Sequence, residues 1–135
     1  MNILLSIKPK YVESIMNGKK KYEFRKTIFR NKDIDRAFIY STAPVKKVVG
    51  SFILGDIIED YPDKLWENFH MFSGLSDKEF FTYFNGDKKG FAIEIESVEK
   101  FDTPIDPREK DPDFTPPQSF YYLEKVYQIG IIDFY

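Results

Sequence analysis

The chain contains no cysteine, one histidine and one tryptophan among its 135 residues. The absence of cysteine excludes disulfide bonds, thiolate zinc sites and cysteine nucleophiles. The single histidine, His70, lies in an aromatic segment with no nucleophile motif beside it, so no serine–histidine–aspartate triad is predicted. There is no Walker A or G-x-G-x-x-G sequence and no spaced set of metal-ligating side chains. We therefore predict neither a cofactor nor a metal.

Long apolar runs are also absent. No segment reaches the length of a membrane-spanning helix, and the first residues lack the basic region of a signal peptide. The sequence thus predicts a cytoplasmic protein with no membrane partner. Its length fits one domain over residues 1–135, which is long enough to bury a core without disulfides.

The chain has no strong excess of charge of either sign, with 20 Lys and Arg against 22 Asp and Glu. This balance argues against a protein that coats nucleic acid without specificity. The basic residues are nevertheless concentrated between Lys8 and Arg36, where ten cations stand against four acids. Such asymmetry indicates an anionic partner for the N-terminal third. Aromatic residues make up 18% of the chain, which is typical of an aromatic core but leaves some rings for base stacking.

Hydrophobic periodicity predicts about six strands with helices between them. The predicted strands cover 3–7, 20–25, 36–42, 47–58, 91–101 and 127–134. Helices are predicted after Pro9, over 61–72 and from the capping box of Ser76 and Glu79. A proline-rich loop is predicted over 103–117, followed by a short helix over 118–125. This pattern predicts an α+β fold, a small mixed β-barrel, closed or half-open, with flanking and inserted short helices.

The sequence G-x-K-x-x-E-x-R at residues 18–25 lies at the junction of a predicted helix and a predicted strand. Strand alternation places Glu23 and Arg25 on one face, and Lys20 joins them if it precedes the paired region. Arg25 and Lys20 can then clamp a phosphate. Glu23 either holds Arg25, accepts a hydrogen bond from a base edge, or acts as a general base. The alternative is a solvated lysine beside an arginine–glutamate pair.

Five further side chains are candidates for the same cleft, each with a structural alternative. Lys8 extends the basic cleft or is an ordinary surface lysine. Ser41 and Thr42 bind a phosphate or ribose, or cap a turn before Pro44. Gln118 reads a base edge together with Ser119, or the pair simply starts a helix.

The sequence resembles the ASCH domain family of the PUA-like superfamily. The matching segments are L-S-I-K-P-K-Y at 5–11, the motif at 18–25, Y-S-T-A-P at 40–44, V-V-G at 48–50 and P-P-Q-S-F at 116–120. The resemblance implies a β-barrel flanked by helices, with a cleft for RNA or a nucleotide, and hydrolytic roles in some members. In the small amidohydrolase members, the motif lysine works with a threonine three residues later and a distant glutamate. Here that threonine position is Glu23.

Three hypotheses follow. The first is a module that binds RNA, a nucleotide or a modified nucleoside through Lys8, Lys20, Glu23, Arg25, Ser41, Thr42, Gln118 and Ser119. The second is a hydrolase acting on a modified nucleoside or on RNA, with Lys20 and Glu23 as candidate catalytic residues. The third is a protein-interaction adaptor whose basic patch is incidental. The sequence leaves the oligomeric state open.

Overall fold

The computed structural model describes residues 1–123 and, beyond them, two short strands at 126–128 and 131–133. The strands are β1 (Asn2–Ile7), β2 (Tyr22–Arg25), β3 (Arg36–Ser41), β4 (Lys47–Asp60), β5 (Gly90–Ile105), β6 (Phe120–Leu123), β7 (Val126–Gln128) and β8 (Ile131–Asp133). The helices are α1 (Pro9–Met16), α2 (Pro62–Phe69) and α3 (Asp77–Phe84), with 3-10 turns at His70–Phe72 and Pro107–Glu109.

Six strands form one mixed sheet in the order β2-β5-β4-β3-β1-β6, in which only β1 and β3 run parallel. The long strands β4 and β5 pair with three register shifts, the first of them at Gly50. Such irregularities bend a sheet and increase its twist. The sheet curls into a half-barrel with three short helices, and this confirms the predicted mixed barrel-like α+β fold.

Local signals place α1 and the turn that follows it. Pro9 occupies the first helical position, Val12 and Ile15 are buried, and Asn17 caps the end. Gly18 then takes φ +82°, the left-handed conformation that ends many helices. The turn delivers the chain directly into β2, whose partner is β5.

Apolar side chains fill both faces of the sheet. The largest cluster packs α1 against β1, β3 and β5, and its fully buried members include Ile15, Ile39 and Ile93. A second cluster seats α2 and α3 over β2 and β5 through Leu65 and Phe80. Because α3 is held there, its N-terminal turns stand next to β2 and α1.

Two expectations for the C-terminal part are wrong. Residues 118–125 were expected to form a helix, but Phe120–Leu123 is β6, antiparallel to β1. Its aromatic residues favour a strand, and β1 offers an open edge. The single strand expected over 127–134 is instead two short strands, β7 and β8, paired with each other. Residues 124, 125, 129, 130 and 134 lie outside the described part.

Replacing Gly50 with alanine should destabilise the fold more than replacing Gly18. A methyl group at Gly50 would collide with the carbonyl oxygen of Glu99 and the end of Met16, whereas at Gly18 it meets nothing within 4 Å. We expect Gly18→Ala to cost about 1 kcal/mol, for its positive φ alone, and Gly50→Ala about 3 kcal/mol. Urea denaturation measures both, and equal losses would contradict the close packing of β4 against β5.

Candidate functional site

A cavity of about 600 Å³ opens between the β1–α1 junction, β2 and α3. Its lining residues are Ser6, Ile7, Lys8 and Tyr11 from the junction, Lys20, Glu23, Phe24 and Arg25 from the motif, Leu75, Lys78, Glu79, Thr82 and Tyr83 from α3 and the turn before it, and Gln118. Charged side chains of the motif therefore share one concave surface with the half-buried Tyr11 of α1 and with exposed groups of α3.

Glu23 is the centre of a three-membered ion network at the floor of the cavity. One of its carboxylate oxygens, Oε2, lies 2.7 Å from Arg25 Nη2, and the other, Oε1, lies 3.6 Å from Lys20 Nζ. This arrangement arises because β2 begins at Tyr22, so Lys20 belongs to the preceding turn and is free to face Glu23. The sequence predicted that Lys20 would join Glu23 only if it preceded the paired part of the strand, and it does.

Lys20 is an internal lysine, with only 2% of its surface exposed. Its ammonium donates a hydrogen bond of 2.7 Å to the carbonyl oxygen of Ser73 and lies 5.4 Å from the centroid of the Phe24 ring. Burial lowers the pKa of Lys20, and the negative charge of Glu23 opposes that shift. The alternative of a solvated lysine is therefore wrong, because Lys20 is a buried and partnered charge beneath the cavity.

Arg25 joins three segments of the chain. Its Nη2 donates to the carbonyl oxygen of Ser6 at 3.1 Å in addition to Glu23, and its Nη1 donates to the carbonyl oxygen of Ser119 at 3.5 Å. Its Nε is buried and has no hydrogen-bond partner among the described residues. A buried N–H group without an acceptor costs free energy. Arg25 therefore has one N–H group that could still donate a hydrogen bond.

Tyr11 and Glu79 form a second polar cluster in the wall of the cavity. The Tyr11 hydroxyl donates to Glu79 Oε2 at 2.7 Å, Lys10 Nζ lies 2.9 Å from the same oxygen, and Ser76 completes the capping box. The hydrogen bond from Tyr11, followed by those from Ser76 and Lys10, lowers the pKa of Glu79 to about 2. Burial, then the contact with Glu79, raises the pKa of Tyr11 to about 12.

The other candidates from the sequence are divided between the cavity and the rest of the sheet. Lys8 and Gln118 line the cavity and are exposed, and Ser119 contacts Arg25 through its backbone. Ser41 lies at the end of β3 opposite Ile7, and the Thr42 amide donates to the Ile7 carbonyl. Neither of these hydroxyl residues lines the cavity, because the parallel pairing of β1 and β3 holds them beside it.

Sequence reasoning missed several residues of the cavity, which are Ser6, Tyr11, Lys78, Glu79, Thr82 and Tyr83. The capping box located Glu79 at the start of a helix, but its bond to Tyr11 spans 68 residues and has no local signal. Within residues 1–123, no cluster of three or more histidine and carboxylate side chains could hold a metal ion. No helix in the described part of the chain is long and apolar enough to cross a membrane.

Residues 5–105 of the chain match the model of the ASCH domain. The chain belongs to the ASCH domain family. It is 32% identical over 128 residues to an ASCH domain-containing ribonuclease of Zymomonas mobilis, covering 90% of this chain and 84% of that protein. The crystal structure of ASCH from Zymomonas mobilis matches with a TM-score of 0.84 at 31% identity, covering 91% of this chain and 87% of that chain.

Another relative is much longer than this chain. The large ribosomal subunit protein uL22 of Ureaplasma parvum is 31% identical over 123 residues, which represent 90% of this chain and 39% of that protein. Most of this chain is therefore similar to one part of that longer protein.

Replacing Glu79 with glutamine should destabilise the protein in a pH-dependent way. The pKa of Glu79 falls from 4.5 in the unfolded chain to about 2 in the folded protein. The ionised carboxylate therefore contributes its full stabilisation of the fold above pH 4.5, and this stabilisation is lost as the pH falls to about 2. We expect Glu79→Gln to cost about 1–2 kcal/mol at neutral pH, with the gap closing at a pH of about 2. Urea denaturation across pH measures this gap.

The matched control is Glu67→Gln, which removes an exposed carboxylate whose neighbour is Lys64. It should change the free energy of unfolding by less than about 0.5 kcal/mol. If the difference in free energy of unfolding between the parent and Glu79→Gln stays constant down to acidic pH, the carboxylate contributes no charge-dependent stability.

Proposed function

We propose that the cavity binds one nucleotide of a single-stranded RNA. The observation that carries the proposal is the ion network of Lys20, Glu23 and Arg25 at the floor of a cavity whose rim bears the exposed Lys8 and Lys78. A volume of about 600 Å³ falls in the range of small-ligand sites, which suits a nucleotide.

Electrostatics favour an anionic ligand. The lining has four cations and two acids, which are Lys8, Lys20, Arg25, Lys78, Glu23 and Glu79. Glu79 is occupied by Tyr11 and Lys10, and Glu23 by the motif cations, so the exposed rim charges are positive. Lys8 and Lys78 are the side chains that can approach phosphate groups from solvent.

The polar groups inside the cavity suit a base edge. Glu23 offers carboxylate lone pairs, and Gln118 carries an amide that both donates and accepts hydrogen bonds. Tyr83 lines the same space and is exposed, so its ring supplies apolar surface for a base. RNA is favoured over other anions because the Zymomonas mobilis relative is named as a ribonuclease.

Removing the two rim lysines should weaken RNA binding. We expect Lys8→Ala/Lys78→Ala to lower the affinity for an oligouridylate about 10-fold and to reduce the slope of log affinity against log salt by about 1.4. Fluorescence anisotropy at several salt concentrations measures both quantities.

The matched control is Lys64→Ala/Lys110→Ala, which removes two exposed lysines outside the cavity. The control should bind as the parent protein does. Equal effects of the two double variants would mean that the cavity rim has no special part in binding, and failure of the parent to bind RNA would overturn the proposal.

The second candidate function is hydrolysis of RNA or of a modified nucleoside at the same site. It is favoured by a buried lysine of lowered pKa beside a carboxylate in the cavity, together with the ribonuclease name of the relative. In this reading, Lys20 stabilises negative charge that develops at the reacting group, and Glu23 transfers protons.

The decisive variant for hydrolysis is Glu23→Gln, which keeps the shape of the side chain and removes its charge. We expect it to abolish cleavage of a labelled RNA, a loss of at least about 100-fold, because general acid–base catalysis contributes that much. Circular dichroism confirms that the variant is folded. Cleavage by Glu23→Gln at the parent rate would exclude this role, and a parent that binds RNA without cleaving it would leave the binding function alone.

A further inference from the structure

The three consecutive lysines of the motif face two different depressions. Lys20 lines the cavity, whereas Lys19 and Lys21 line a second groove of about 580 Å³ with His70 and Phe72. Leu75 lines both depressions, so they are adjacent on the surface. The function proposed above uses the cavity and leaves Lys19 and Lys21 without a role.

Backbone hydrogen bonds fix this division. The Lys20 amide donates to the carbonyl oxygen of Ser14 at 2.9 Å, and the Lys21 amide donates to that of Phe72 at 2.7 Å. The Lys20 ammonium also bonds the carbonyl oxygen of Ser73. The segment that carries Phe72 is therefore attached to the motif at two points, and the groove has a rigid floor rather than two loose lysines on a surface.

The chemistry of the groove is cationic and aromatic. Lys21 Nζ lies 5.0 Å from the centroid of the Phe72 ring, and 43% of the Phe72 surface is exposed. Lys19 is exposed beside them, and no acidic side chain in the described part of the chain lines the groove. A positive charge next to a flat apolar ring complements a nucleotide, which carries a phosphate next to a base.

We propose that the second groove binds the neighbouring nucleotide of the RNA whose first nucleotide occupies the cavity. This inference rests on the function proposed above. Lys19 and Lys21 contact the phosphate that passes Leu75, and the base stacks on Phe72. The Lys21 ammonium leaves the ring for the phosphate, an exchange that is favourable because base stacking exceeds an exposed cation–π contact.

The groove offers a stacking surface and charges rather than a base-reading network. His70, its other polar lining group, has its Nδ1 within 2.9 Å of the carbonyl oxygen of Trp66. Binding there should accordingly tolerate any base, while selectivity belongs to the cavity. The ligand class is thus a strand of at least two nucleotides. A free mononucleotide should occupy the cavity in preference to the groove, because only the cavity also offers Glu23 and Gln118 to a base edge.

The test compares uridine 5′-monophosphate with an eight-residue oligouridylate, using the full chain. We expect Lys19→Ala/Lys21→Ala to weaken octamer binding about 10-fold and to lower its salt slope by about 1.4, while binding of the mononucleotide is unchanged. Lys19→Arg/Lys21→Arg keeps the charges and should retain the parent affinity, and Phe72→Leu should weaken the octamer without changing the salt slope.

The outcomes separate this inference from the proposed function. If Lys19→Ala/Lys21→Ala binds the octamer like the parent while Lys8→Ala/Lys78→Ala does not, the second groove is wrong and the cavity stands. If Lys19→Ala/Lys21→Ala also weakens binding of the mononucleotide, the two depressions are not separate sites. If the parent binds neither ligand, both proposals fail.

Discussion

The burial of the Lys20 ammonium is the constraint on which the site depends. A charge removed from water is tolerated only when it is paired and hydrogen-bonded, and Lys20 meets this requirement through Ser73 and Glu23. Glu23 in turn is tolerated because Arg25 balances it, and Arg25 is satisfied in part by the carbonyl oxygen of Ser6. One internal charge thereby fixes the turn, β2 and the end of β1 relative to one another.

This constraint separates two kinds of cation in the same basic region. Lys20 and Arg25 already have protein partners, so they shape the cavity and set its potential without changing their contacts. Lys8 and Lys78 stand in solvent, where a surface charge contributes little to stability. In the proposed function, such lysines lose little on meeting a phosphate, so binding energy should come mainly from the exposed cations and specificity from the internal network.

Features with a local signal were predictable from the sequence, and those that depend on distant pairing were not. Pro9 and Gly18 placed α1 because each acts through its own backbone conformation. The strand at Phe120–Leu123 was read as a helix because its partner, β1, lies at the other end of the chain. The contact between Tyr11 and Glu79 could not be predicted for the same reason, since only the fold brings α1 and α3 together.

The spacing of the motif explains why one turn carries both a buried, partnered lysine and two exposed lysines. A lysine three residues before Glu23 lies outside the paired strand, so its side chain can bend inward, while its neighbours on both sides stay exposed. A threonine at position 23 would leave Lys20 without a carboxylate and Arg25 without the partner that lies 2.7 Å away. The glutamate therefore gives this chain an internal network in which one carboxylate pairs with two cations, leaving one net positive charge.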